Sequence, residues 1–360
     1  MAGKFTRVPF AQVNLDDPFF DSLKKDYPEF AGTWFPKAIR QNREALVFMD
    51  EKGLGAFIAT KPENEAISLK EGVFAACPRL KISTLLLAER FRGQRLGEGA
   101  IGLILWEWQR SKLEEIYVTV FPQHEDLIIQ LERFGFLMIG HSERGELVYL
   151  RSRKHIDFSD PYKSFPFISP ANMKGGYLIV EDTYHDTLFP YSELKNTLQE
   201  KLEIDAANGI SKVYIGKQWQ VHYKVGDPVF IYRKYTGNAG APRYKSCLTS
   251  FCVVTEVVTV KHNCAEILSF DDFCRIVGNK SVFSREDLFR KYKSDNNITA
   301  IKLLYCGYFG SGNNINMDWL DNHGLWNPDG GYPANTQLTS EQCYEIFREG
   351  GIDIDNVLGR

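Results

Sequence analysis

The chain of 360 residues lacks several things at once. No apolar run approaches the ~18 residues of a membrane span, and no N-terminal stretch joins a basic segment to an apolar one as a secretory signal does. The expectation is a protein that neither crosses a membrane nor is exported. Its seven cysteines include no Cys-x-x-Cys pair. An odd, scattered set of thiols reads as reduced cysteines in a cytoplasm, not as a disulfide framework. His262, Cys264 and Cys274 lack the paired spacing of a zinc site, so no metal is expected. Neither the Walker A pattern nor Gly-x-Gly-x-x-Gly occurs, which removes the P-loop and the dinucleotide fingerprint. There is no internal repeat and no low-complexity tract. A net charge of −3 selects no class of partner.

What is present is an ordinary globular composition, 44% apolar and 25% charged, in a chain long enough for two domains. The stretch 155–172, HIDFSDPYKSFPFISPAN, holds three prolines and little periodicity and reads as the seam. Domains are expected at 1–158 and 159–360. Ahead of the seam, EALVFMD and GLGAFIAT read as a hairpin turned at Lys52-Gly53. LKISTLLLA reads as a strand, LGEGAIGLILWEWQRSK as a helix and EEIYVTVF as another strand. PQHEDLIIQLERF predicts a helix opened by Pro122, with Leu127, Ile128, Leu131 and Phe134 on one face. FLMIGHSERGELVYLRS predicts two strands around a turn. The class expected is α/β (α+β), a mixed sheet flanked by helices.

After the seam the runs are short and β-rich: KVYIGK, DPVFIYRKY, CLTSFCVVTEVVTV and TAIKLLYCGYF. Short helices are expected at SFDDFCRIV, SREDLFRKY and LTSEQCYEIFREG, the last two opening with cap chemistry. This pattern predicts a small, partly closed β-barrel with helices at its ends. Residues 212–245 carry Lys212, Lys217, Lys224, Arg233, Lys234, Arg243 and Lys245 against Asp227 alone, with tyrosines and Trp219 between them. Such a stretch suits phosphates and stacked bases, or else it is a basic hairpin with tyrosines half buried in a barrel wall. Trp219, Trp319 and Trp326 are candidates for a base-sized pocket. The tail is the reverse, rich in Asp and Glu from Asp318 onward.

The most informative stretch is LLLAERFRGQRLGEGAIGLILWEW at 85–108. A strand runs into a turn with Arg90, Arg92, Gly93 and Arg95, and a helix follows. Backbone N–H groups and the positive end of a helix converge there, a nest that suits a pyrophosphate, with Arg92 and Arg95 adding charge. The plain alternative is a tight turn with solvated arginines.

LLAERFRGQRLGEGAI resembles the acetyl-CoA loop of the GNAT family of N-acetyltransferases, and LERFGF at 131–136 resembles that family's late signature. The resemblance covers roughly residues 30–150. It implies that Leu85 and Leu87 offer main-chain groups to the pantetheine arm of acetyl-CoA. The segment Arg92, Gly93, Gln94, Arg95, Leu96, Gly97 and Glu98 would hold the pyrophosphate. Aligned on Arg92, Arg95 stands where the family has its first glycine and Gly97 matches the second. Leu131 stands where many members carry a proton-donating Tyr. Transfer of acetyl to an amine needs a neutral amine, a stabilised oxyanion and a reprotonated thiolate. His124, Tyr149 and Glu89 are the catalytic candidates, with Tyr117 and Thr119 nearby. Each has a plain reading as well: Glu89 as a partner of Arg90 or Arg92, His124 as a first-turn helix residue, the tyrosines as packed sheet residues.

The second half resembles a PUA-like module of the ASCH or EVE type over roughly residues 172–350, with EDTYHDTLFP looking like the strand and turn that lead into it. That resemblance implies binding of RNA or of modified bases. The combined expectation is a cytoplasmic acetyl-CoA-dependent N-acetyltransferase whose acceptor is a nucleic acid or something carried by one. Two alternatives stay open: a protein or small-molecule N-acetyltransferase with a structural second domain, and a non-catalytic acetyl-CoA sensor that binds nucleic acid. The oligomeric state is not legible.

Overall fold

The computed structural model describes residues 5–171, 173–192, 205–218, 221–326, 333 and 336–359. The backbone divides into two compact units, one of residues 1–104, 113–132 and 136–155, the other of 105–112, 133–135 and 156–360.

The first unit is a seven-stranded mixed sheet in the order β1-β2-β3-β6-β7-β9-β8. Its strands are β1 (Thr6–Pro9), β2 (Glu44–Asp50), β3 (Gly53–Glu63), β6 (Arg79–Leu87), β7 (Glu115–Val120), β8 (Leu137–His141) and β9 (Leu147–Ser152). A separate hairpin, β4 (Ile67–Leu69) with β5 (Gly72–Phe74), lies between β3 and β6 in sequence. Its helices are α1 (Asp21–Asp26), α2 (Phe35–Arg40), α3 (Leu96–Ser111) as far as residue 104 and α4 (Glu125–Arg133) as far as residue 132. Phe10, Phe20, Phe30, Phe35 and Phe57 form an aromatic cluster that joins the N-terminal segment to β2 and β3, burying large rings where short helices supply little stability of their own.

The expected strands and α3 form as the apolar pattern indicates. The helix expected from Pro122 starts only at Glu125, because residues 122–124 are a turn whose last carbonyl, that of His124, accepts the first helical bonds from Leu127 and Ile128.

The second unit is built on a five-stranded sheet in the order β10-β12-β13-β15-β11. These are β10 (Gly176–Glu181), β11 (Ser211–Gly216), β12 (Pro228–Lys234), β13 (Cys247–His262) and β15 (Ile298–Tyr308), with β14 (Ala265–Glu266) and β16 (Ile315–Asn316) added to β13. Among the described residues β10 and β11 are the two ends of this path, so the barrel is half open there. Register shifts at Ile231/Tyr232 and at three places along the β13–β15 pair mark bulges, which bend and twist a sheet. Its helices are α5 (Pro161–Ser164), α6 (Asp182–Leu188), α7 (Pro242–Lys245), α8 (Phe270–Val277), α9 (Arg285–Ser294), α10 (Met317–Asn322), α11 (Ser340–Glu349) and α12 (Ile354–Val357). Ser269 caps α8, and capping boxes at Ser284/Asp287 and Thr339/Gln342 start α9 and α11.

One expectation is corrected here. After Glu181 the segment is not strand and turn but the helix α6, whose His185 and Asp186 are buried in a polar network. His185 faces Asp186 Oδ1 at 2.8 Å and Thr249 Oγ1 at 2.7 Å. Arg233 donates to both oxygens of Asp186, at 3.0 and 3.1 Å. That network holds the helix against β12 and β13.

Candidate functional site

The centre of the first unit is a fork. β6 and β7 run parallel but pair only from Arg79↔Glu115 to Ile82↔Val118. β6 continues to Leu87 and β7 to Val120, so beyond that point the two strands part. The cause is local: Thr84 pairs with Ala59 and Ile82 with Thr60, which leaves Ser83 as an extra residue on β6. A bulge of this kind re-aims a strand. Ser83 Oγ donates to the Ala59 carbonyl, and Arg43 bonds both Ser83 Oγ and the Thr60 carbonyl, which pins the bulge. Residues 83–87 keep β3 as a partner on one side and present a main-chain edge to the fork on the other. Leu85 and Leu87 lie on this edge, half buried.

The turn that follows is anchored, not solvated. Arg90 bonds Asp50 Oδ1 at 2.8 Å and Oδ2 at 3.1 Å, and also the carbonyls of Gly53 and Leu54. The Phe91 ring packs over Gly55 so closely that a Cβ there would lie 2.5 Å from it. Arg95 does not add its charge to the nest as expected. Its guanidinium turns back to Glu98 at 3.3 Å, both side chains being 8% exposed. Of these three arginines Arg92 is the most exposed, at 83% against 29% for Arg90, and it lies 3.3 Å from Asp126.

The backbone fits a tight turn into a helix: Gly93 has φ +77° and Arg95 φ +63°. The left-handed geometry at Arg95 is what glycine usually supplies. The Gln94 N–H is used by the Phe91 carbonyl, so not every amide of this segment is available. α3 leaves the N–H groups of Leu96 and Gly97 without intrahelical acceptors, and a Cβ on Gly97 would meet nothing within 4 Å. Open space therefore adjoins the positive end of a 16-residue helix.

The catalytic candidates fall at different places. Tyr149 pairs with Val118 at the fork's base, and its hydroxyl donates to Glu132 Oε1 at 2.8 Å. Burial and that carboxylate push its pKa up to about 12, so it stays a protonated donor. Leu131 is fully buried and offers no proton. Glu89 is exposed in the turn after β6. His124 is exposed, 4.0 Å from Asp26. Tyr117 donates to Glu63 on the sheet face that carries β4 and β5. Sequence reasoning missed Tyr27 and Glu146, which meet beside Thr119. Their hydrogen bond spans 119 residues of chain, and no local pattern announces it.

In the second unit the basic stretch is dispersed. Lys212 is 1% exposed and bonds the Ala206 carbonyl, and Arg233 is committed to Asp186. These two cannot reach a phosphate on the surface, and their place in the expected binding set is corrected to that of buried structural cations. Lys217 pairs with Asp295 at 2.7 Å and Lys234 with Glu181 at 3.3 Å. Arg243 pairs with Asp318 at 2.6 Å and Asp321 at 2.8 Å, so part of the acidic tail neutralises part of the basic stretch. Lys224 and Lys245 are exposed. Trp326 is core, packed on Tyr232, and Trp319 stacks on His323 at 3.9 Å. Trp219 lies outside the described residues.

A cavity of about 560 Å³ opens where the half barrel is unclosed, between β10 and β11 and against α9. Tyr184, Tyr214 and Phe283 line it, with Lys217, Arg290 and Lys291. Tyr184 and Phe283 have ring centroids 5.2 Å apart, and the Lys291 ammonium lies 4.5 Å from the Phe283 centroid. Burial pushes Tyr214 up to about 12. Flat rings beside cations are what a stacked base uses, although Lys217 and Arg290 already face Asp295 and Asp287.

No family model matches the chain, and no curated protein sequence does either. Solved structures with a similar backbone include Arabidopsis thaliana NAA60 in complex with a bisubstrate analogue, 12% identical over 41% of this chain and 98% of that one, TM-score 0.32. An AtaT mutant toxin bound to the C-terminus of the antitoxin AtaR and acetyl-CoA is 10% identical over 43% of this chain and 95% of that one, TM-score 0.32. ASCH from Zymomonas mobilis is 10% identical over 48% of this chain and 94% of that one, TM-score 0.32. Likenesses this low decide neither fold nor activity. All seven cysteines are free thiols, and among the described residues no helix is long and apolar enough to cross a membrane.

Proposed function

We propose that residues 1–158 form a GNAT-type N-acetyltransferase domain that uses acetyl-CoA, and that residues 159–360, a PUA-like domain, present a nucleic-acid or nucleic-acid-associated amine in the cytoplasm. The observation that carries the first half is the parting of β6 and β7 next to the open N-terminus of α3. The unpaired edge at Leu85 and Leu87 gives main-chain donors and acceptors for an amide-bearing arm such as pantetheine. The free amides at Leu96 and Gly97, with Arg92, suit the diphosphate at its other end. The acceptor nitrogen attacks the thioester carbonyl carbon, the C–S bond breaks, and coenzyme A leaves. Tyr149, held protonated on the strand that pairs with β7, is our candidate proton donor to the departing thiolate. Holding the two reactants together supplies a large part of the rate by itself.

For the second half, the cavity lined by Tyr184, Tyr214 and Phe283 is a better seat for a base than the stretch 212–245, whose cations are largely paired. The same pairing favours a second reading, in which the acceptor is a protein or small-molecule amine and the second unit is accessory. The test is transfer from labelled acetyl-CoA into total RNA, aminoacylated tRNA and protein, run side by side. Label in an RNA fraction supports the first reading and label in protein alone the second. Acetyl-CoA bound without transfer to any fraction contradicts both and leaves an acetyl-CoA sensor.

A further inference from the structure

Glu146 is 5% exposed, yet it carries a carboxylate that no cation neutralises at hydrogen-bond distance among the described residues. Its partners are hydroxyls. Tyr27 donates to Oε1 at 2.6 Å, Thr119 donates to the same oxygen at 3.0 Å, and Ser142 donates to Oε2 at 3.0 Å. The Ser142 N–H bonds the Glu146 carbonyl at 2.8 Å, and the Glu146 N–H bonds Ser142 Oγ at 3.2 Å, so both ends of the β8–β9 turn are fixed. A buried carboxylate costs several kcal/mol unless it is well satisfied, and three neutral hydroxyls satisfy it without removing its charge. The cation of the same turn, Arg144, is already matched with Glu29.

Its place is as telling as its partners. Val118 is the last residue of β7 that pairs with β6, and Thr119 is the next. The oxygen that Thr119 and Tyr27 share therefore stands at the mouth of the fork. Successive side chains alternate along β7, so Thr119 shares the face of Tyr117, opposite the face of Val118 and Tyr149. The proton donor proposed for the thiolate and this carboxylate thus lie on opposite faces of one sheet at one opening.

Resting on the acetyltransferase reading above, we infer that Glu146 is the base that takes the proton of the acceptor amine, with Tyr27 and Thr119 as its positioning residues. In that step the amine lone pair forms the N–C bond to the acetyl carbon and the C–S bond breaks. The amine proton passes to the Glu146 carboxylate, whose Oε2 accepts from Ser142 alone, and then to water; Tyr149 gives its proton to the departing thiolate and regains one from water. Net, acetyl-CoA and an amine give an acetamide and coenzyme A. The carboxylate also holds a cationic amine in place before it is deprotonated, which selects acceptors whose nitrogen is basic: an α-amino group or a lysine-like amine, not the weakly basic exocyclic amine of a nucleobase.

The experiment uses the full chain, Glu146→Gln and Tyr27→Phe, with labelled acetyl-CoA and three probes: aminoacylated tRNA, the same tRNA after deacylation, and a peptide with free α-amino and lysine groups. The expected result is label in the aminoacylated tRNA or the peptide and none in deacylated tRNA. Glu146→Gln lowers kcat at neutral pH about 10²- to 10⁴-fold with acetyl-CoA affinity unchanged, and the deficit narrows as pH rises and the amine deprotonates unaided. Tyr27→Phe, which keeps the carboxylate but removes one of the hydroxyls that position it, lowers kcat several-fold with KM for acetyl-CoA unchanged. The inference is overturned if Glu146→Gln keeps the parent's pH profile, if Tyr27→Phe leaves kcat at the parent's value, or if deacylated tRNA is labelled as well as the other probes. Should Glu146→Gln fail to fold, Tyr27→Phe decides alone. A parent chain that neither binds acetyl-CoA nor transfers label overturns the acetyltransferase reading itself, a distinct outcome.

Discussion

Arg95 and Glu98 form a nearly buried ion pair across the first turn of α3, 3.3 Å apart and each 8% exposed. An arginine in left-handed conformation thereby occupies a turn where glycine is the easy residue, because its side chain has a carboxylate to neutralise. Arg95→Gly relieves about 1 kcal/mol of backbone strain but takes the guanidinium away from a nearly buried Glu98 carboxylate, at about 1–3 kcal/mol. The expected net result is a lower melting temperature. Arg95→Gly combined with Glu98→Gln recovers most of the loss, read by thermal unfolding of the two variants and the parent.

Gly55 is required by a neighbour rather than by its own dihedral angles. A methyl there would sit 2.5 Å from Phe91 and 2.8 Å from Phe48, so Gly55→Ala must displace the ring that anchors the turn. The expected cost is about 1–3 kcal/mol in chemical denaturation. Weaker acetyl-CoA binding accompanies it, since the turn loses its position even though no residue of the nest is changed.

The network around α6 makes the second unit acid-sensitive. Burial holds His185 below its ordinary 6.5 despite the adjacent Asp186. Asp186 is raised by burial but brought down to about 2 by the hydrogen bonds of His185 and Arg233. Both folded values are depressed, so the unfolded chain binds the protons more readily. The stability that His185 supplies is complete above about pH 6.5 and fades as pH falls below it, and that of Asp186 is complete above about pH 3.8 and fades towards pH 2. Denaturant midpoints of the parent should therefore fall between pH 7 and pH 5. A His185→Gln variant, less stable at pH 7, should show a flatter dependence over that window.

Arg233→Ala separates structural from binding roles in the basic stretch. Removing it leaves the buried Asp186 carboxylate without its guanidinium and with the His185 ring as a partner, at about 3–5 kcal/mol, and the expected phenotype is unfolding or low yield. Tyr184→Ala, at the cavity, should leave folding nearly intact and weaken single-stranded RNA binding by about 1–3 kcal/mol for a lost stack. Equal RNA affinity in Tyr184→Ala and the parent removes the cavity as the base site.

The strands, α3 and the turn into it were legible because each is signalled within about 20 residues by apolar period, glycine and cap chemistry. What was illegible is what distance hides. The residues ahead of β2 fold as helices of six residues around clustered phenylalanines, too short for a periodic signal. The fates of Arg90, Arg92 and Arg95 differ, though the three sit within six residues of one another, because Asp50 anchors the first, the exposed Asp126 meets the second and Glu98 takes the third. Arg243 and Asp318 stand 75 residues apart, so a stretch that reads as a cationic surface is in part an internal neutralisation. Tyr27, Thr119 and Glu146 come from three separate regions, and only the sheet order brings them together.

The most direct test of the central claim is calorimetric titration of the full chain with acetyl-CoA, for the parent and for Gly97→Asp. A side chain at Gly97 has open space, and an acid in the first turn of a helix is favourable to the helix, so this variant should fold at least as well as the parent. It sets a negative charge where the diphosphate is expected. The account predicts one acetyl-CoA per chain for the parent and at least a tenfold weaker affinity for Gly97→Asp. No binding by the parent, or equal binding by both, contradicts it.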